Sequence, residues 1–151
     1  MDRSEKVILT NMCMVYDENG NVLVQDRVDK DYAGITFPGG HVEQNESFTD
    51  AVIREVYEET GLTISTPEIC GIKQWPLENG GRYVVLLYKT NNFKGELRSS
   101  DEGQVYWVKM SEFINLNLAE GMDKMLQVFN NNDIGEYFFY KENNQWIEML
   151  K

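Results

Sequence analysis

This chain is poor in cysteine, histidine and proline: its 151 residues include two cysteines, one histidine and three prolines. Cys13 and Cys70 stand far apart in apolar settings, with no C-x-x-C pair. That argues against a disulfide framework and for free thiols in a reducing, cytoplasmic compartment. No apolar run approaches the roughly 18 residues of a membrane-spanning helix, and nothing resembles a signal peptide. Positive charge is also scarce. There are 14 Lys and Arg against 25 Asp and Glu, a net charge of −11. Long nucleic acid is bound largely through Lys and Arg contacts to phosphate, so a duplex is a poor partner. A small, metal-chelated anion suits this charge better. The 42% of hydrophobic residues suffices for a core, and residues 1–151 read as a single domain.

What is present is concentrated in residues 40–62, GHVEQNESFTDAVIREVYEETGL. Ser47 is a fair N-cap, Asp50 puts an acid near a helix start, and Gly61 suits the residue just past a helix end. The spacing predicts a helix over 48–60, with Val52, Ile53, Val56 and Tyr57 facing the core. Glu55, Glu58 and Glu59 share another side of it, at spacings i, i+3 and i+4. Carboxylates this close repel one another unless a cation sits among them, and Mg²⁺ or Mn²⁺ are the hard ions that take oxygen ligands. Arg54 lies four residues from Glu58 and within reach of Glu46, the place of a group that orients carboxylates. An isolated E-x-x-E-E is ordinarily a solvated acidic face. The loop Phe37-Pro38-Gly39-Gly40 ahead of this one, whose glycines allow a ligand close to the backbone, sets it apart.

The full pattern is G-x5-E-x7-R-E-U-x-E-E-x-G-U, U being aliphatic, and all nine fixed positions are filled. It resembles the complete Nudix box, the signature of hydrolases that cut a diphosphate linked to another group. The resemblance implies an α/β fold, the Nudix α/β/α sandwich with a mixed β-sheet between helices. It implies the Gly40 carbonyl, Glu55, Glu58 and Glu59 as ligands of Mg²⁺, with Mn²⁺ as a substitute, Glu43 as an occasional ligand and Glu46 as structural. Many relatives carry a glutamate on a later loop as base or extra ligand. Glu102, in Ser99-Ser100-Asp101-Glu102-Gly103, holds that place, and Glu59 competes with it as base.

Along the rest of the chain, Val7–Tyr16 and Val22–Gln25 flank an Asn-Gly turn and read as a hairpin. Short strands are expected at 35–37, 68–74 and 105–108. Arg82–Lys89 has an apolar centre that predicts burial on both faces. Residues 91–101 read as a polar connection, and a second amphipathic helix is expected over 117–130, with Met122, Met125, Leu126 and Phe129 inward. Residues 137–140 and 146–150 suggest a terminal hairpin, a surface on which a homodimer could form.

Arg27, after the first hairpin, and Arg82, opening the central strand, are candidates to hold a terminal phosphate in a planar fork, against a reading as surface arginines. Trp75 is a candidate to stack a base, against a core or rim role. His41 reads as a packing residue of the loop, because an oxygen-rich site suits Mg²⁺ better than imidazole does. The phrases Gly71-Ile72-Lys73-Gln74-Trp75-Pro76 and Ser99–Gly103 look most like the MutT-like branch. That implies hydrolysis of nucleoside triphosphates, such as 8-oxo-dGTP, to monophosphate and pyrophosphate. The chain departs from that branch at two candidate base contacts. Thr36 stands where some relatives have a purine-reading asparagine, and Leu118 where some have a stacking tryptophan. Pro76, fourteen residues after Leu62, is a weak marker of enzymes acting on ADP-ribose. A ligand-sensing domain without catalysis is disfavoured, because all the metal glutamates are kept.

Overall fold

The apolar run Arg82–Thr90 serves two cores at once. In the computed structural model, which describes Met1–Lys151, its Val85 and Leu87 join a core with Met12, Met14, Met125 and Phe129. Leu86 and Tyr88 point the other way, to Cys13, Val15, Val52 and Val56. Alternating side chains of one strand are thus buried on both faces, as its apolar centre predicts.

In chain order, β1 (Val7–Val15), β2 (Asn21–Arg27) and β3 (Gly34–Thr36) precede α1 (Phe48–Thr60). Then come β4 (Thr63–Ile64), β5 (Glu68–Pro76), β6 (Arg82–Thr90), β7 (Phe93–Lys94) and β8 (Gly103–Lys109). The short α2 (Met110–Phe113), α3 (Met122–Asn130), β9 (Glu136–Glu142) and β10 (Gln145–Leu150) complete the chain. The main sheet has five strands in the order β1-β6-β5-β9-β10. It is mixed: β1 runs parallel to β6 and β5 to β9, while β5–β6 and β9–β10 are antiparallel. Helix α1 covers one face and α3 the other, which makes the expected α/β/α sandwich. A second sheet, β3-β2-β8, packs beside it.

Helix α1 has the limits its sequence predicts. The Ser47 side chain accepts a hydrogen bond from the Asp50 N–H at 3.0 Å, and Gly61, at φ 79°, donates its N–H to the Tyr57 carbonyl at 2.9 Å. Tyr57 itself is not core. It is 49% exposed, with the Arg98 guanidinium 5.2 Å from its ring centre.

Other expectations need correction. The first two strands do not form a ladder. They share one bridge, Tyr16–Val22, and then part into different sheets, because β2 already has β3 and β8 on its two edges. The second helix starts at Met122 rather than 117. Residues 117–119 run extended and bond to Ile35 through its N–H and carbonyl, and Gly121, at φ 83°, makes the turn into the helix. The 91–101 connection contains β7, paired with β4. The terminal hairpin forms as expected, with Asn143 and Asn144 at positive φ in its turn.

The loop 38–42 lies along the free edge of β1. Cys13 donates its N–H to the Pro38 carbonyl, Asn11 to the Gly40 carbonyl, each at 2.8 Å, and Val42 to the Leu9 carbonyl at 2.9 Å. A Cβ on Gly39 would come within 2.1 Å of the Asn11 carbonyl oxygen, so only glycine allows this approach.

Candidate active site

Pinning that loop to β1 sets Gly39 and Gly40 against the glutamates of α1. The Glu55 carboxyl fills the space beside Gly40, where a Cβ would lie 2.3 Å from it. Glu59 is 4% exposed, and one of its oxygens accepts a long hydrogen bond, 3.4 Å, from the Gly39 N–H. Burial pushes both carboxyls up, that of Glu59 to about 7.

Arg54 organises the outer side. It donates two hydrogen bonds to Glu46, at 2.7 and 2.9 Å, one to Glu55 at 2.8 Å, one to Glu58 at 3.3 Å and one to the His41 carbonyl at 2.9 Å. Glu43 is 4.0 Å from it. Hydrogen bonds from Arg54 hold the Glu46 carboxyl at about 2. The positive charge among these glutamates is thus the guanidinium, and no three acidic side chains converge at ion-binding spacing. The donor set nevertheless fits a hard divalent ion. It offers carboxylates and a backbone carbonyl, no sulfur, and a glycine where a side chain would block access.

Glu55, Glu59, Gly39 and Gly40 form one end of a cleft of about 770 Å³. Arg27 and Glu102 also line it. The Arg27 guanidinium lies 3.5 Å from Asp29 and 3.9 Å from Glu102, whose side chain is 56% exposed. Thr36, fully buried, faces the same cleft with its hydroxyl unpartnered. The Arg27 Nε and the Asn11 side-chain nitrogen are likewise buried without partners.

The other end of the cleft is aromatic. Tyr32, Trp75, Tyr83, Tyr137, Phe139 and Trp146 line it, with Lys73 among them. Trp75 stands between Tyr83 and Phe139, stacked on both at 4.5 and 4.8 Å. Strand β5 lies between β6 and β9, so the two neighbours cover opposite faces of the indole. Trp75 therefore offers the cleft an edge rather than a face for stacking a base.

Two sequence candidates stand away from the cleft, and Glu58 and Arg54 lie outside its wall. Arg82 is paired with Glu5 and hydrogen-bonded to the Gln74 side chain at 3.4 Å, which leaves no free fork for phosphate. Leu118 is held beside Ile35 and packs on the main core instead of opening to the cavity. Conversely, sequence reasoning passed over Asn11, Gln25 and Lys73. Each is a buried polar residue inside an apolar strand, and that mismatch was the available signal. Gln25 is fully buried near Glu59, and neither of its amide atoms has a hydrogen-bonding partner.

The chain resembles known proteins along most of its length. A CTP pyrophosphohydrolase from Escherichia coli is 29% identical over 118 residues, 76% of this chain and 86% of that protein. An ADP-ribose pyrophosphatase from Methanocaldococcus jannaschii is 29% identical over 105 residues, 68% of this chain but only 59% of its own length. The crystal structure of a mutator MutT protein from Bacillus halodurans superposes with a TM-score of 0.80 at 26% identity, covering 95% of this chain and 97% of that one. The sequence matches the NUDIX domain over residues 8–129, so the glycine loop and the glutamate helix fall within the match, and the chain belongs to the NUDIX domain family.

Proposed function

We propose that this protein hydrolyses nucleoside triphosphates to the monophosphate and pyrophosphate in a reaction that needs a divalent ion, Mg²⁺ before Mn²⁺, with oxidised purine nucleotides such as 8-oxo-dGTP among its substrates. The observation that carries the reading is a single cleft with an oxygen-donor end at Gly40, Glu55 and Glu59 and an aromatic end at Tyr32, Tyr137 and Phe139. A nucleotide has the same two-ended chemistry. The relative named for CTP pyrophosphohydrolysis supports it. The partner is then a small nucleotide, in the cytoplasm, handled by one domain spanning 1–151. The terminal hairpin remains the surface for a homodimer.

The Gly40 carbonyl, Glu55, Glu58 and Glu59 would hold the ion, which supplies charge neutralisation at the phosphates and activation of water. Arg54 orients Glu55 and Glu58 through its hydrogen bonds to them. Arg27 offers its guanidinium to the outer phosphates. Glu102, exposed beside Arg27 on the wall of the cleft, would take the proton of the attacking water. Glu59 competes for that role, buried at the same end of the cleft. Water bonds to one phosphorus of the α–β anhydride as its bridging P–O bond breaks, which releases the monophosphate and pyrophosphate.

A second reading, hydrolysis of ADP-ribose or a dinucleotide, is favoured by the Methanocaldococcus relative and by Pro76 at the end of β5. The deciding experiment is Mg²⁺-dependent product release over 8-oxo-dGTP, dGTP, the common triphosphates, ADP-ribose and diadenosine polyphosphates, with products separated by chromatography. Monophosphate plus pyrophosphate from triphosphates at the highest kcat/KM is the expected result. Faster cleavage of ADP-ribose or a dinucleotide overturns it.

A further inference from the structure

Lys73 is the charge this fold leaves unexplained. It sits in the middle of β5, 7% exposed, and takes part in no ion pair. Its ammonium lies 5.2–5.9 Å from the ring centres of Trp75, Tyr32, Phe139 and Tyr137. The structural explanation, a cation held by aromatic rings, covers only part of its cost. Burial among them holds the amine well below its usual value, at about 8, and the charges of Glu120 and Glu148 only partly offset this. A methionine would fill the same space without that cost.

Its position fits a role toward ligand. Lys73 lines the cleft, at the aromatic end. In the sheet register it stands opposite Val85, which stands opposite Thr10. It is therefore two strand spacings, roughly 10 Å, from β1, to which the glycine loop is bonded. Phosphates bound near Gly40, Glu55 and Arg27 would leave the far edge of the base near Lys73. An ammonium has three donors and no acceptor. Toward a base carbonyl it recovers a hydrogen bond lost on burial. Toward an exocyclic amine it faces donor with donor, and both stay desolvated and unpaired.

We propose that Lys73 is a specificity-determining residue that donates a hydrogen bond to a carbonyl of the nucleobase, so that bases carrying a keto group are favoured over those carrying an amino group at the same place. This rests on the reading of the cleft as a nucleotide site. It adds the class of base.

The test uses two substrate pairs, inosine against adenosine triphosphate and uridine against cytidine triphosphate. Each pair exchanges one exocyclic carbonyl for an amine. Values of kcat/KM are measured with Mg²⁺ for the wild-type protein and Lys73→Met. Affinities for inosine and adenosine monophosphate are measured by calorimetry in EDTA, free of any metal. The wild type should favour the keto member by about tenfold or more, the scale of one charge-assisted hydrogen bond. Lys73→Met should bring both ratios to within about threefold, mainly by losing the keto member. A wild type without preference overturns the proposal, as does a variant that keeps it or loses both members of a pair equally. Hydrolysis of all four triphosphates without preference sinks only the role of Lys73. Neither hydrolysis nor binding of any nucleotide sinks the nucleotide reading as well. A thermal melt of the variant verifies its fold.

Discussion

Arg54 grips Glu46 through two parallel hydrogen bonds, Nε to Oε2 at 2.7 Å and Nη2 to Oε1 at 2.9 Å. Its remaining guanidinium nitrogen turns to Glu55 and Glu58. One arginine thus ties the loop before the helix to the acidic face of the helix. It is also the charge that keeps those carboxylates from repelling one another.

Arg54→Ala should therefore destabilise the protein most when no metal is present, because the neighbouring glutamates lose their counter-charge. Melting in EDTA should fall clearly below wild type. Saturating Mg²⁺ should raise the melting temperature of the variant more than that of the wild type, since the ion replaces part of the missing charge. Equal Mg²⁺-induced shifts in the two proteins would show that Arg54 is not what balances the carboxylates.

Glu58→Gln addresses catalysis more directly. Glu58 is 56% exposed and makes one long hydrogen bond, so its loss should hardly change the melting temperature without metal. Turnover should fall by several decades, because a ligand to the ion acts mainly in the transition state. Activity within about tenfold of wild type would remove Glu58 from the metal site.

How much of this was legible in the sequence follows from how local each signal is. Ser47 and Gly61 announce the ends of α1 through bonds to residues three and four positions away. The glycine loop and the glutamate helix lie within about twenty residues, so their meeting is also a short-range event. The aromatic end of the cleft is different. Lys73 meets Tyr137 because β5 pairs in parallel with β9, and no local pattern encodes that pairing. Arg82 and Leu118 looked available only because Glu5 and Ile35, their partners, are distant in sequence. Tyr57 sits at the margin of the apolar arc of α1, where periodicity alone does not decide which side is covered.

Thr36 separates a ligand-directed polar group from a merely tolerated one. It is 1% exposed, and its hydroxyl has no hydrogen-bond partner. Thr36→Val keeps the shape and removes the stranded hydroxyl. Stability should stay the same or rise by about 1 kcal/mol. If the hydroxyl contacts substrate, KM should rise severalfold with kcat little changed. A loss of stability would mean that an ordered water satisfies the hydroxyl, and an unchanged KM would take Thr36 out of the substrate site.

The buried ammonium of Lys73 makes stability depend on pH, with a definite sign. Its folded-state value is depressed to about 8 from 10.5, chiefly by burial. Below about 8 both states carry the proton, and the folded state bears the full cost of a buried charge, on the order of 3 kcal/mol. As pH rises from about 8 to 10.5 the folded chain sheds its proton first, so the unfolded state binds more protons and stability increases. Lys73→Met lacks this term. The variant should be the more stable protein near pH 7, and its advantage should shrink through that window. Burial pushes Tyr32 and Tyr137 up, so in the folded state both keep their protons through that window, and their unfolded-state titration cancels in the difference between the denaturation free energies. Urea unfolding at several pH values from about 7 to 10.5 provides that difference. A constant difference across the window would mean that methionine packs better and that the buried amine bears no charge penalty.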